Sequence, residues 1–148
     1  MALVTDEKWQ KRFMELAHFI ADWSKDSTKV GAVLVTNECK IIGQGYNGPI
    51  ASVDDSIITN REIKINHTIH AEVNAIMDAA KLNNLGREVT HLFVTHPICV
   101  ECAKLAAQFN INTIYCKESK DSDFNNRWNN STALEVLKNS KVNYKLIK

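Results

Sequence analysis

The sequence lacks any hydrophobic run long enough to cross a membrane, since no stretch approaches the roughly 18 apolar residues that such a helix needs. Its first ten residues also lack the apolar segment of a secretory signal. We therefore expect a cytoplasmic protein without membrane association. In that reducing compartment the four cysteines are expected to be free or metal-bound rather than paired in disulfides. No motif surrounds Cys39 or Cys116, and both are expected to be small packing residues.

An excess of charge of one sign is absent as well. Eighteen basic residues stand against 17 acidic ones, which gives a formal net charge of +1, and no run of like charge stands out. A protein that binds a nucleic-acid backbone usually has a strongly basic surface. The composition therefore favours a small-molecule substrate over a nucleic-acid polymer. Internal repeats and low-complexity segments are also missing, and we expect one domain over residues 1–148.

Hydrophobic periodicity predicts an alternation of helices and strands. A first helix is predicted over residues 6–23 with Thr5 as its N-cap, followed by an antiparallel hairpin of residues 30–36 and 40–46. Residues 47–67 show no clear period apart from a helical turn near 59–64. The remaining predicted helices cover residues 70–83, 99–110 and 127–138, and the remaining strands 89–95, 113–116 and 142–147. Because strands joined through helices are usually parallel, we expect a three-layer α/β/α sandwich around a mixed five-stranded sheet.

One imidazole, two thiols and one carboxylate form the most informative pattern in the chain. His70 and Glu72 stand two residues apart, and Cys99 and Cys102 stand three apart, shortly after Pro97. Zinc held by three protein ligands keeps its fourth position open for water, as in catalytic sites. The cysteine pair alone is equally compatible with a redox pair or with half of a structural zinc site. Taken together, the four residues favour a catalytic zinc site.

The predicted helix boundaries bring these residues to one place. Residues two apart do not share a face in mid-helix, so His70 and Glu72 can address one site only at the first turn of a helix. The cysteine pair also stands at a predicted helix start, where the helix dipole favours a thiolate. We therefore expect two helix N-termini to converge on one metal ion.

This pattern matches the signature of zinc-dependent nucleobase deaminases, H-x-E followed by P-C-x-x-C, apart from one extra residue after the proline. Zinc lowers the pKa of its bound water and so provides a hydroxide nucleophile for the ring carbon that bears the amine. Glu72 is expected to carry protons from the water to the ring nitrogen and then to the departing ammonia. If Glu72 were instead a fourth ligand, the site would be closed and structural.

From about Ser24 to the C-terminus, the chain resembles the deoxycytidylate deaminases within the cytidine deaminase superfamily. The resemblance rests on Lys25-Asp26, Val30-Gly31-Ala32, Gly43-Gln44-Gly45-Tyr46-Asn47-Gly48, Asp54-Asp55, His70-Ala71-Glu72-Val73-Asn74-Ala75-Ile76, Thr95-His96-Pro97 and Cys99-x-x-Cys102-Ala103-Lys104. The family commonly has proline directly before the first cysteine, where this chain has Ile98. The resemblance implies hydrolysis of dCMP to dUMP and ammonia, a step of pyrimidine metabolism that supplies thymidylate synthesis.

The resemblance also assigns roles by position. It implies one zinc ion held by His70, Cys99 and Cys102, with Glu72 as the proton shuttle. Positions that bind substrate are implied at Asn47 and Ala71, and an effector region at Tyr46, Gly48, Asp54, Asp55 and Asn74. The family implies a homo-oligomer, often a hexamer, that dCTP activates and dTTP inhibits. Mg²⁺ would accompany a bound triphosphate effector.

Two questions stay open at this point. A deaminase that prefers dCTP, deoxycytidine or another aminated base is an alternative, and so is a non-enzymatic nucleotide-binding protein with structural zinc. The donors for a 5′-phosphate are also unsettled. Arg127 is the first candidate because arginine suits bidentate phosphate contact, and Lys29, Arg61 and Lys117 are the others.

Overall fold

The computed structural model describes residues 1–82, 89–118 and 130–148. Its helices are α1 (Glu7–Ala21), α2 (Arg61–His67), α3 (Ala71–Lys81), α4 (Val100–Gln108) and α5 (Asn130–Asn139), with a 3₁₀ turn at Asp55–Ile57. Its strands are β1 (Gly31–Thr36), β2 (Ile41–Tyr46), β3 (Gly48–Pro49), β4 (Thr68–Ile69), β5 (Thr90–Val94), β6 (Thr113–Lys117) and β7 (Asn143–Ile147). In the described ranges, no helix is both long enough and apolar enough to cross a membrane.

Five strands form one mixed sheet in the order β2-β1-β5-β6-β7. β1 pairs antiparallel with both β2 and β5, whereas β5, β6 and β7 run parallel to one another. Parallel neighbours need a crossover connection, and α4 and α5 lie in the two connections. The mixed five-stranded sheet predicted from the sequence is confirmed.

Helices cover both faces of this sheet because its central strands are apolar throughout. Every residue of β1 and of β5 is buried, as expected for strands packed on two sides. On one face α1 contributes Phe13, Ala17 and Ile20 to a core cluster. A second cluster on the opposite face includes Ala75 of α3 and Leu137 of α5. The three-layer α/β/α arrangement is therefore confirmed.

The ends of several elements differ from the prediction. The N-cap of α1 is Asp6, whose carboxylate accepts a hydrogen bond from the Lys8 N–H at 3.0 Å, so the prediction of Thr5 was wrong. Aspartate satisfies the free N–H groups of a first turn as well as threonine does. His70 and Cys99 are themselves N-caps, of α3 and α4. The predicted start of the helix at 127–138 lies outside the described residues.

The segment predicted to be irregular contains more structure than expected. α2 covers Arg61–His67, and β3 pairs antiparallel with β4 in a separate two-stranded sheet. Gly48 lies opposite Ile69 in this pairing, and Pro49 lies opposite Thr68. The short sheet places the residue after Ile69, which is His70, beside the end of β2.

Glycines in β2 allow α3 to lie directly against that strand. A Cβ on Gly45 would lie 2.6 Å from the backbone nitrogen of Ala75 and 2.7 Å from the backbone oxygen of Ala71. A Cβ on Gly43 would lie 2.3 Å from the backbone oxygen of Ala75. Only a residue without a side chain fits so close to another backbone. The path of α3, and with it the position of its first turn, depends on these glycines.

Polar side chains of α3 bond to the free edge of β2. The Asn74 side-chain amide donates to the carbonyl oxygen of Tyr46 at 2.9 Å, and the Asp78 carboxylate accepts from the Gln44 N–H at 3.1 Å. An unpaired strand edge otherwise presents free backbone groups to other chains. The two bonds fix the lengthwise position of α3 on β2.

Gly45→Ala is expected to lower the free energy of unfolding by about 1–3 kcal/mol, because the backbone of α3 must move to admit the methyl group. Thermal unfolding measures the effect, at roughly 2–4 °C in Tm for each kcal/mol. Gly48→Ala is the matched control, since a methyl group at that position would meet nothing within 4 Å. Equal Tm values for the two variants would contradict the close packing of α3 on β2.

Candidate active site

Three ligand-type atoms meet where α3 and α4 begin. The ligand atoms of His70, Cys99 and Cys102 all lie within 4.8 Å of one another. His70 Nδ1 is 3.3 Å from the Cys102 sulfur and 3.4 Å from the Cys99 sulfur. Tetrahedral bonds to zinc of about 2.0–2.3 Å place ligand atoms roughly 3.3–3.8 Å apart. Both distances from His70 Nδ1 fall in this range, and the three residues are called the ligand group below.

The protonation states of the ligand group are also compatible with the binding of a cation. The pKa of Cys99 is lowered to about 4, first by a hydrogen bond from the Cys102 thiol and, against the effect of burial, by a bond from His70. The same thiol bond, together with burial, raises the pKa of Cys102. The bond to Cys99 raises the pKa of His70. A thiolate and a thiol thus share a buried site, and a divalent cation would displace the remaining proton because cysteine binds metal as thiolate.

Glu72 lies beside the ligand group. It is the second residue of α3, and it is 4% exposed. Burial raises the pKa of its carboxyl, against the lowering effect of His70. Among the described residues, the atoms close enough together to hold one metal ion belong to His70, Cys99 and Cys102. The Glu72 carboxyl is not part of that group. A buried carboxyl that can hold a proton therefore stands next to the ligand group and lies outside it.

The turn between β5 and α4 is held to the sheet by a side chain. The Thr95 hydroxyl accepts a hydrogen bond from the Gly31 N–H at 3.1 Å, which ties the end of β5 to the start of β1. Cys99 then precedes α4, and Cys102 lies in the first turn of that helix. The two cysteines and the first turn of α3 meet as the sequence predicted.

A pocket of about 340 Å³ opens beside the ligand group. This volume is typical of sites for small ligands, which range from about 300 to 1,000 Å³. His70, Glu72 and Cys99 line the pocket. The turn before α4, the segment of residues 26–30, the residue after β2 and the segment of residues 61–68 also contribute to its wall. The other lining residues are Asp26, Ser27, Thr28, Val30, Asn47, Arg61, Lys64, Ile65, Thr68, Ala71, His96 and Pro97.

Asn47 lines the pocket and also holds the segment of residues 24–30 in place. Its side-chain oxygen accepts from the Val30 N–H at 2.9 Å, and its amide donates to the Thr28 carbonyl at 2.7 Å. Its own carbonyl accepts from the Ser24 hydroxyl at 2.7 Å. The amide oxygen and nitrogen can each make one more hydrogen bond. Substrate contact by Asn47 therefore stays a prediction that the geometry permits.

The predicted substrate and phosphate positions fall into three groups. Ala71 and Arg61 line the pocket, as Asn47 does. Lys29 and Lys117 are described but are not among the lining residues. Arg127, the first candidate for the phosphate, lies outside the described residues.

The predicted effector residues stand apart from the pocket lining. Asp54 caps the 3₁₀ turn, and Asp55 forms an exposed ion pair with Lys25 at 3.1 Å. Tyr46 packs edge-on against Trp23, with ring centroids 6.1 Å apart. Gly48 lies in β3 opposite Ile69, and the Asn74 side chain bonds to the carbonyl oxygen of Tyr46 in β2. A role in effector binding stays a prediction for all five.

The pocket lining also contains residues to which no role was assigned from the sequence, among them Lys64 and His96. Lys64 forms an ion pair with Asp26 at 2.9 Å, and His96 precedes Pro97 in the turn before α4. Lys64 follows Arg61 by three residues within the predicted helical turn, so the spacing could have indicated that both share a face. His96 stood in a motif used for the resemblance, without an assigned function.

Comparison with known proteins identifies the family. Residues 7–118 match the family model described as the cytidine and deoxycytidylate deaminase zinc-binding region. An uncharacterized deaminase from the luxG 3′ region of Aliivibrio fischeri is 43% identical over 123 residues, which are 82% of this chain and 80% of that protein. The deoxycytidylate deaminase of Homo sapiens is 35% identical over 126 residues, with coverage of 78% and 69%.

A solved structure shows the same fold. The crystal structure of dCMP deaminase from the cyanophage S-TIM5, in complex with dCMP and dUMP, matches with a TM-score of 0.74 and 25% sequence identity. The match covers 96% of this chain and 98% of that chain. The region matched to the family contains the whole ligand group and Glu72. The chain therefore belongs to the zinc-binding cytidine and deoxycytidylate deaminase family, whose members are deaminating hydrolases.

Proposed function

We propose that this chain hydrolyses dCMP to dUMP and ammonia with one zinc ion held by His70, Cys99 and Cys102. The observation that carries the proposal is the buried Glu72 carboxyl beside a three-residue ligand group at the wall of a pocket. The cyanophage relative, with dCMP and dUMP in its crystal structure, supports this choice of substrate. The deoxycytidylate deaminase activity named for the human relative supports it as well.

Glu72 carries the proton transfers of the proposed reaction. Zinc, when bound, lowers the pKa of a coordinated water towards neutrality. The Glu72 carboxylate takes the proton that the water loses as its oxygen adds to C4 of the base. The carboxyl then returns that proton to N3. A second transfer, from the hydroxyl now on C4 to N4, lets the amine leave as ammonia and leaves a carbonyl at C4. Burial suits this role because it raises the pKa of Glu72 towards the working pH.

Parallel assays with three substrates test the proposal. Ammonia release by zinc-loaded protein is measured with dCMP, dCTP and deoxycytidine, and dCMP is expected to give the highest kcat/KM. Equal values for dCMP and deoxycytidine would contradict a preference for the monophosphate. A higher value for dCTP would identify the alternative deaminase. No ammonia from any substrate would favour the non-enzymatic nucleotide-binding protein.

Assembly and regulation are part of the same proposal. Phe19 and Trp23 are 62% and 51% exposed, and their rings pack with centroids 5.9 Å apart, with Tyr46 beside Trp23. Contiguous exposed apolar groups often mark contact surfaces, which supports a homo-oligomer. The cytoplasm stays the proposed compartment. Light scattering measures the assembly. Assays of dCMP with dCTP plus Mg²⁺, or with dTTP, measure activation and inhibition.

A further inference from the structure

Two basic side chains of α2 line the pocket, three residues apart. Arg61 and Lys64 share one face of α2 because residues at this spacing are neighbours on a helix. Asp26 and Glu72 are the acidic residues among the described lining. The electrostatic character of the pocket wall therefore depends on which of these charges neutralise one another.

Lys64 is paired with Asp26 across the pocket wall. The ammonium nitrogen lies 2.9 Å from a carboxylate oxygen of Asp26, and the two side chains are 36% and 12% exposed. The same carboxylate oxygen accepts from the Thr28 N–H at 2.9 Å. Burial alone would raise the pKa of Asp26, but the bonds from Thr28 and Lys64 outweigh it and lower the pKa. Asp26 is therefore ionised at neutral pH, and Lys64 balances its charge.

Arg61 is not paired in this way. Within residues 1–82, 89–118 and 130–148, no carboxylate lies within ion-pair distance of its guanidinium, and the residue is exposed at the pocket. A guanidinium stays charged at any ordinary pH and presents its donors in a planar fork that matches phosphate oxygens. Because Lys64 neutralises Asp26, the charge of Arg61 stays available to a ligand.

We propose that Arg61 binds the 5′-phosphate of a nucleoside monophosphate and makes the pocket selective for nucleotide over nucleoside. This inference rests on the proposed function, in which the base must meet Glu72. The phosphate at the other end of the nucleotide then needs a donor elsewhere in the pocket wall, and α2 supplies one. Lys64 is a positioning residue, since it keeps the Asp26 carboxylate from repelling the phosphate.

Kinetics with and without the phosphate test the role of Arg61. Arg61→Gln is expected to lower kcat/KM for dCMP by about 10- to 100-fold, mainly through KM, because it removes charge-assisted hydrogen bonds. The value for deoxycytidine is expected to stay unchanged. Arg12→Gln is the matched control, since Arg12 lies over the Trp9 ring, 4.6 Å from its centroid, and is not among the lining residues.

A double variant tests the role of Lys64. Lys64→Gln is expected to raise KM for dCMP because it leaves the Asp26 carboxylate unbalanced near the phosphate. Adding Asp26→Asn is expected to restore KM, since the amide oxygen still accepts from Thr28 and carries no charge. A double variant with a KM as high as that of Lys64→Gln would overturn the positioning role.

Equilibrium binding separates this inference from the proposed function. Isothermal titration compares dUMP with deoxyuridine, and Arg61→Gln is expected to remove the preference for dUMP without affecting deoxyuridine. If the unmodified enzyme deaminates dCMP and Arg61→Gln leaves KM and dUMP binding unchanged, the phosphate role is overturned and the proposed function stands. If it deaminates neither substrate, the proposed function fails, and the dUMP titration still decides the role of Arg61. Arg61→Lys, which keeps the charge without the fork, is expected to give intermediate values and replaces Arg61→Gln if that variant does not fold.

Discussion

Glu72→Gln is expected to reduce ammonia release from dCMP by about 10³- to 10⁴-fold while the zinc content stays at one ion per chain. General acid–base catalysis typically contributes about 10²- to 10⁴-fold, and in the proposed reaction one carboxyl carries every proton transfer. The amide keeps the size of the side chain but cannot accept and return a proton. Steady-state kinetics and metal analysis of the same preparation measure both quantities.

The stability of this variant is a separate expected result. Glu72 is 4% exposed and burial raises its pKa, so a neutral side chain of equal size removes a buried ionisable group. We expect Tm to stay equal or to rise, as is common when a catalytic group is neutralised. Glu101→Gln is the matched control, because Glu101 lies between the two cysteines, pairs with Lys104 at 3.3 Å and is largely exposed. Loss of zinc from Glu72→Gln alone would identify Glu72 as a fourth ligand and the site as structural.

Cys102→Ala is expected to weaken zinc binding by more than about 100-fold and to reduce activity in proportion. Loss of an outer hydrogen-bond partner of a metal ligand already costs about 10- to 100-fold in affinity, and removal of a ligand costs more. The remaining His70 and Cys99 would then hold the ion at only two points. Metal analysis after dialysis and ammonia release measure the effect.

Cys116→Ala is the matched control for the ligand variant. Cys116 is fully buried, and burial raises its pKa to about 12, so its thiol is inert at neutral pH. Both substitutions remove a buried sulfur of equal size, but Cys116 is not in the ligand group. We therefore expect similar losses of packing stability and zinc loss only in Cys102→Ala. Equal zinc contents in the two variants would show that Cys102 is not a ligand.

Removal of the metal from the unmodified protein provides the same test without a substitution. A chelator is expected to abolish ammonia release and to lower Tm, because an ion that binds only the folded state stabilises it by mass action. Addition of zinc is expected to restore both. Retention of full activity after complete removal of zinc would exclude a metal-dependent reaction.

The sequence predicted where the candidate site residues meet because their spacing is local. His70 and Glu72, two residues apart, can serve one site only at the start of a helix, and Cys99 and Cys102, three residues apart, share one side of a helix. Their positions at two helix starts could therefore be derived without coordinates. The helices and main strands were likewise predicted from a periodicity that each segment carries by itself.

Features that depend on contacts between distant segments were missed. β3 and β4 are pairs of residues without any periodicity, and they exist because Gly48 and Ile69 meet across 20 intervening residues. The N-cap of α1 was assigned to Thr5 although Asp6 holds that place, since adjacent residues of equal capping ability are not distinguished by their own chemistry.

The sequence by itself determined the type of reaction centre, because two short motifs contain both the metal-binding residue types and the helix starts at which they lie. Only the tertiary structure decided which charges line the pocket. Arg61, Lys29 and Lys117 were equal candidates in the sequence, and the packing of α2 beside residues 26–28 placed Arg61 at the pocket and paired its neighbour Lys64 with Asp26. A charged surface residue follows no hydrophobic period, so the sequence does not show which segments will fold beside it. Its role depends on those segments.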